Sequence, residues 1–352
     1  MHLTESVHQV WPAFVLVTGL LLIGLVASRD GLFEHAGAAL QRLPGGSAPL
    51  FAACLALVAV VTAILNLDTA AVFLTPVLVH AARGRGVREE AFLYGSVFMA
   101  NASSLYLPGS NLTNLLVLAH QPVSGATFAA EMFAPALAAT LATGFGLFLL
   151  FGAAMRAPAR APRASERATP PRLSLVAVGA AAVLTVALPS PAVPVLCAGA
   201  AAALYELARG RLTGGELMRA LGPAVLVSLF LVSVALGVLG RSWGGPSQLL
   251  GDGGRWGTTA IGALASVLIN NLPAAVLLSA RPVAHPRALL LGLNIGPNLA
   301  ASGSLSAFLW WRAARQVDAR PSLTAFSRRG VPLGLFAMLA ALLVSTLIAG
   351  PS

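Results

Sequence analysis

Taken by its apolar and polar positions, the chain is a succession of apolar segments at 10–28, 49–82, 91–120, 126–154, 173–188, 191–208, 219–240, 257–280, 288–311 and 331–349. A helix crosses a bilayer in about 20 residues, so most of these read as single spans. The 49–82 segment is too long for one, and Asn66, Asp68 and Thr69 interrupt its middle. Arg42 and Arg83 flank it, and both fall on one side if the segment dips in and returns. The pattern therefore predicts a re-entrant helical hairpin with its tip at Asn66–Thr69. The chain repeats the motif 204 residues later, where Asn66 falls on Asn270 and Ala70-Ala71-Val72 falls on Ala274-Ala275-Val276. Segment 257–280 is thus a second hairpin with its tip at Asn270–Pro273. Pro273 suits the first residue of a returning helix, where a missing N–H costs nothing.

A second matched pair follows. At an offset of 193, Asn101 meets Asn294, Ser110 meets Gly303 and Leu112 meets Leu305. Pro108-Gly109 and Gly296-Pro297 interrupt these two segments, which predicts broken helices. Bare backbone at membrane depth survives only where it is buried in protein or lines a cavity. Polar interruptions at matching places in two halves point to the binding site of a secondary transporter. Small polar residues also serve to pack helices closely, but four matched breaks ask for more than packing. The candidate substrate- and ion-binding residues are Asn66, Asp68 and Thr69 at the first tip, and Asn270 and Asn271 at the second. Asn101, Ser104, Ser110, Asn111 and Asn114 come from the first broken helix, and Asn294, Asn298, Ser302 and Ser304 from the second. Their amides and hydroxyls both donate and accept hydrogen bonds.

Composition agrees with the membrane reading. Of 352 residues 57% are apolar and 10% charged, where a soluble domain carries about 25% charge. All 22 basic residues are arginine. Counting both hairpins as non-crossing leaves about eight crossing helices, and places eighteen arginines on one side and only Arg241, Arg255, Arg281 and Arg287 on the other. That is the asymmetry of a cytoplasmic face. It places both termini outside, in a plasma (bacterial inner) membrane, and makes the second half an inverted copy of the first. The expected class is an all-α integral membrane protein with two inverted repeats, 1–154 and 173–352, joined by a cytoplasmic Pro/Arg-rich linker at 155–172. The net charge of +10 belongs to topology, since no soluble domain offers a nucleic-acid surface. The lipid bilayer is the partner that composition implies. Cys54 and Cys197 lie far apart in apolar runs, which excludes a multi-thiolate metal site and favours packing. Trp310 and Trp311 beside Arg312 read as an interfacial anchor, and Glu131 and Glu206 as acids near segment ends that reach water. No cofactor or metal motif is present, and nucleotide-binding, zinc-hydrolase and serine-hydrolase signatures are missing. An intramembrane enzyme and a structural scaffold stay as readings of other classes. Asp68 is the one acid placed in the middle of the membrane, where an ionisable group is functional by default. It is the candidate proton carrier, and helix capping is its alternative role.

Four stretches together carry a family resemblance: Asn66-x-Asp-Thr-Ala-Ala-x-x-x-Leu-Thr-Pro76, Asn101-x-Ser-Ser…Ser-Asn-Leu-Thr-Asn-Leu115, Asn270-Asn-Leu-Pro273 and Gly292-Leu-Asn-Ile-Gly-Pro-Asn…Gly-Ser-Leu305…Leu-Trp310. The chain resembles the ion transporter superfamily, and within it the arsenical pump membrane protein (arsenite/antimonite permease) family. The resemblance implies export of arsenite or antimonite as neutral trihydroxides in exchange for protons. In some members a soluble ATPase subunit takes part, and such a subunit and a homodimer are the candidate protein partners. The resemblance also implies two further spans before 10–28, so the chain reads as an N-terminally short variant. Sodium-coupled carboxylate carriers and sodium/proton antiporters of the same superfamily are the alternatives. The former carry Ser-Asn-Thr at both tips, where this chain has Asn66-Leu-Asp-Thr and Asn270-Asn-Leu-Pro.

The arginine asymmetry makes a direct prediction. Cysteines placed at Ser190 and Ser247 should react with an impermeant maleimide added to intact cells, and one at Ser165 should not. Labelling of Ser165→Cys from outside would overturn the eight-crossing topology.

Overall fold

The computed structural model describes residues 2–121, 123–156, 158–160 and 171–349. Helix is the only regular structure among them, as it must be when backbone groups cannot turn to water. Five helices are long and apolar enough to cross a membrane: His2–Arg29, Ser47–Ile64, Gly125–Met155, Gly214–Ser242 and Leu323–Ile348. Arg172–Ala187 and Ala192–Ala208 are shorter apolar helices.

Helices stop and restart where polar residues interrupt the apolar runs. Ser47–Ile64 ends, Asn66 lies extended, and Leu67–Thr69 runs through the π-helical turn Ala70–Leu74 into Thr75–Gly84. Gly254–Ile269 ends at Asn270, and Asn271–Leu278 follows it. The φ of +76° at Asn270 is a left-handed value that a short polar side chain tolerates better than a branched one. Pro273 is the third residue of its helix rather than the first, still within the turn whose N–H groups have no intrahelical partner. Glu90–Ser103 and Leu112–Leu118 flank the 3-10 turn Pro108–Ser110. Pro286–Ile295 and Leu305–Gln316 flank the turns Gly296–Asn298 and Ala301–Gly303.

Packing repeats across the chain. Ser47–Ile64 lies on Glu90–Ser103 as Gly254–Ile269 lies on Pro286–Ile295. Gly125–Met155 packs along Leu323–Ala349, and His2–Arg29 along Pro223–Ser242. Ala192–Ala208 and Arg172–Ala187 also cover His2–Arg29. The first of these contacts depends on glycine: a Cβ at Gly19 would stand 2.7 Å from the Leu196 backbone. Backbones approach this closely in membranes only where one residue is small.

Several expectations change. The first helix begins at His2 and the last described one at Leu323, because helical hydrogen bonding continues past the apolar stretch that hydropathy detects. Leu32–Arg42 and Gly214–Leu221 are helices that the apolar segments did not mark. The second is opened by a Thr213/Glu216 capping box and closed by Gly222 at a φ of +54°, after which Pro223 starts the next helix. Trp310 is not interfacial: it is buried against Tyr94 and Phe326, and its indole donates to Leu93 O at 2.7 Å. Glu206 is buried as well, 3.8 Å from Arg211, and Cys197 is exposed where packing was expected. Buried Arg85 donates to four carbonyls, of Gln41, Leu43, Gly45 and Arg160. It thereby pins the approach to the first tip against the start of the linker. Of that linker, residues 157 and 161–170, Ser165 included, lie outside the described residues.

Gly19→Val should cost about 1–3 kcal/mol by overpacking. A lowered melting temperature and reduced monodisperse yield in detergent would show it, whereas Gly179→Ala, which meets nothing within 4 Å, should melt as the parent does.

Candidate functional site

Two kinds of position emerge among the fourteen candidates. Asp68, Asn111, Asn271 and Ser304 open onto one cavity of about 120 Å³. Each comes from a different break, so the chain meets here from four places far apart in sequence. Phe14, Leu21 and Leu226 supply apolar wall, and Arg219 and Arg312, both exposed, stand at the mouth. Asp68 is partly exposed to this space, and no ion pair or hydrogen bond engages it among the described residues.

The remaining candidates do not line the cavity; they cap helices and bond to backbone and to one another. Asn66 caps its helix, its Oδ1 accepting from Thr69 N at 2.7 Å, while its Nδ2 and Thr69 Oγ1 are buried without partners. Asn294 is a hub between the two broken helices. Its Oδ1 accepts from Ser104 Oγ at 2.9 Å, Thr113 Oγ1 at 3.2 Å and Asn111 Nδ2. Its Nδ2 donates to Asn114 Oδ1 at 3.0 Å and to Leu290 O at 2.8 Å. Asn114 donates onward to the carbonyls of Ser104 and Leu107. One layer away, Asn101 Nδ2 donates to Asn298 Oδ1 at 2.8 Å, and Asn101 Oδ1 is a buried acceptor with no partner. Ser110 Oγ donates to Ala63 O at 3.0 Å and accepts from Leu107 N, tying the first broken helix to the end of Ser47–Ile64. Asn270 caps Asn271–Leu278 and donates to Ser302 O, and Ser302 is exposed and bonded to Val267 O, away from the cavity.

Thr113 and Ser306 belong to the site and were not among the candidates. Ser306 lines the cavity beside Ser304, whose hydroxyl it meets at 2.6 Å. Both lie inside the quoted motifs, so spacing alone could have included them. Arg219 and Arg312 had no such signal, since each reads as one more cytoplasmic arginine.

The arrangement offers hydroxyl, amide and one carboxylate group in a largely apolar pocket. It can hold a small, uncharged, multiply hydroxylated solute and can place one proton. Among the described residues no group of three or more His, Cys, Asp or Glu could hold a metal ion.

Comparison with known proteins bears on the same stretch of chain. The citrate transporter family, CitMHS, matches over residues 5–307. An arsenical pump membrane protein of Escherichia coli is 28% identical over 372 aligned positions, covering 95% of this chain and 86% of the relative. A protein of the same name from Yersinia enterocolitica is 27% identical with the same coverage. The crystal structure of the Alcanivorax borkumensis YdaH transporter, described as having an unusual topology, shares the fold with a TM-score of 0.59 at 16% identity, across 99% of this chain and 88% of that one. The likeness to arsenical pump proteins expected from the four motifs is thus found along nearly the whole chain.

Removing the hub should be costly. Asn294→Ala strands the buried Asn111, Thr113 and Asn114 groups at about 1–3 kcal/mol for each left unpaired; Ser104 keeps its bond to Asn101 O. Thermal unfolding in detergent should show a large drop, and Ser302→Ala, exposed and off the cavity, should stay within about 0.5 kcal/mol of the parent.

Proposed function

We propose a function that proceeds from one established point: the chain belongs to the citrate transporter family CitMHS. It is a secondary transporter of the membrane, of the citrate transporter and arsenical pump type. Within that class, it exports arsenite or antimonite as the neutral trihydroxide in exchange for protons. The cavity carries this reading: among the described residues its interior polar groups are Asp68, Asn111, Asn271, Ser304 and Ser306, and the cations that line it, Arg219 and Arg312, stand at the mouth. A trihydroxide donates hydrogen bonds to the ionised Asp68 carboxylate and exchanges them with amides and hydroxyls. A proton arriving on Asp68 removes the acceptor charge, so proton and solute compete for one group. That competition is what antiport requires.

The paired contacts and the four helix breaks support two inverted repeats with two non-crossing hairpins and about eight crossings. In that topology the mouth at Arg219 and Arg312 faces the cytoplasm, which suits uptake of solute for export. These two arginines favour a second reading, a carboxylate such as citrate as cargo. Asp68 speaks against it, since a carboxylate inside the pocket repels a polyanion and the exposed Arg219 and Arg312 stand at the mouth rather than beside it.

Everted vesicles with an imposed pH gradient separate these readings in a Cys54→Ala, Cys197→Ala background, which should itself transport normally. Gradient-driven arsenite uptake is expected in the parent. Asn271→Ala should weaken it about tenfold, as loss of a buried hydrogen-bond partner does. Asp68→Asn should abolish it while arsenite still binds. Full gradient-driven transport by Asp68→Asn would sink the proton role, and uptake of citrate but not arsenite would establish the carboxylate reading.

A further inference from the structure

Two short helices begin at the cavity and end at a common point. Leu112–Leu118 starts beside Asn111 and Leu112, and Asn271–Leu278 starts with Asn271 and Leu272, all of which line the cavity. The two helices pack on each other, and at their far ends one side chain holds both. Gln9 Nε2 donates to Leu116 O at 3.2 Å, and to Ser279 O at 3.0 Å and Ser279 Oγ at 3.1 Å. Ser279 Oγ lies 3.2 Å from Leu116 O, its one hydrogen shared with Ala275 O at 2.6 Å.

Gln9 is in turn held from behind. Arg241 Nη2 donates to Gln9 Oε1 at 2.8 Å, and Arg241 Nη1 donates to Ser6 Oγ at 2.8 Å and Gly237 O at 3.1 Å. Glu5 lies 3.4 Å from the same guanidinium, and Arg281 donates to Arg241 O at 2.6 Å. Gln9 and Arg241 are buried at 5% and 6% exposure. A buried guanidinium that fixes a glutamine carbonyl leaves the amide N–H groups only one direction to point, toward the two helix ends.

Beyond this cluster lies an open vestibule of about 660 Å³ whose wall includes His2, His8, His120, Arg241 and Arg281. It lies at the end of the molecule opposite the mouth of the Asp68 cavity. Val225 and Arg241 belong to one helix, Pro223–Ser242, the first lining the cavity and the second the vestibule. Sixteen residues of helix separate them, roughly 24 Å. Gln9 lines the vestibule itself, and Leu116 and Ser279 belong to the far ends of the two helices that start at the cavity.

We propose that Gln9, fixed by Arg241, is the latch that closes the path from the Asp68 cavity to the vestibule. Passage of solute requires its bonds to Ser279 and Leu116 to break. Because the latch holds the C-terminal ends of the two helices whose N-terminal ends line the cavity, a shift at the cavity is felt at the latch. The transport reading enters only in treating the vestibule as an exit, and the test needs no substrate.

The experiment reads accessibility of a cavity residue from the vestibule side. In the Cys54→Ala, Cys197→Ala protein, Leu272→Cys is labelled with an impermeant maleimide applied to that side in intact cells. The parent should react slowly, and Gln9→Ala should raise the rate about tenfold or more, as loss of the two buried N–H hydrogen bonds predicts. Gln9→Glu keeps a partner for Arg241 but loses the donors, so it should open the path as well. Ser6→Ala, which touches Arg241 but neither helix end, should label as the parent does. Ser279→Ala gives the same readout by removing one acceptor, should either Gln9 variant fail to reach the membrane. Unchanged labelling in the Gln9 and Ser279 variants at normal expression, or an equal rise in Ser6→Ala, would overturn the latch. Failure to move arsenite would leave these rates as they are, and so would count against the substrate alone.

Discussion

A helix that ends among other helices leaves backbone N–H and C=O groups that must find partners without water. This chain ends helices in that setting four times, and asparagine and serine side chains do most of the closing. Asn66, Asn111 and Asn270 each accept from an N–H of the helix that follows. Ser110 takes the carbonyl of Ala63, and Asn114 takes those of Ser104 and Leu107. The amide of Asn294 then joins the two broken helices into one body. Without these bonds the breaks would each cost several kcal/mol.

The same constraint explains why the cavity is where it is. An amide that caps a helix with its oxygen still has two N–H groups to place, and at Asn66 they meet nothing. Asn111 and Asn271, which do line the cavity, come from two of the same breaks. Asp68 is the exception. It sits in the first turn after Asn66, yet Asn66 does the capping, so its carboxylate stays free to face the cavity.

Rigidity is distributed accordingly. Arg85 and Trp310 tie loops and helices together through backbone carbonyls, none of them part of the cavity lining. The helices Leu112–Leu118 and Asn271–Leu278 are short and held at their far ends chiefly through Gln9 and Ser279. A few hydrogen bonds of about 1 kcal/mol each are strong enough to close a path and weak enough to be broken by a bound solute.

Much of this was legible in the chain itself. Apolar length is a local property, so the membrane class and the long helices follow from it. Polar residues inside apolar runs mark where helices must stop, and the four breaks lie at those residues. The motifs around them carried the likeness to arsenical pump proteins. Composition could not tell which polar groups face the cavity. Asn111 and Asn114 share a motif, yet one lines the cavity and the other bonds backbone. Ser302 and Ser304 part in the same way. Capping and binding use identical chemistry, and only the rotation of each broken end against its neighbours separates them. Gln9 lay just outside the first apolar segment, and Arg241 read as one of four arginines on the sparse side. Their pairing joins residues 232 positions apart, and only tertiary packing could bring that contact into being.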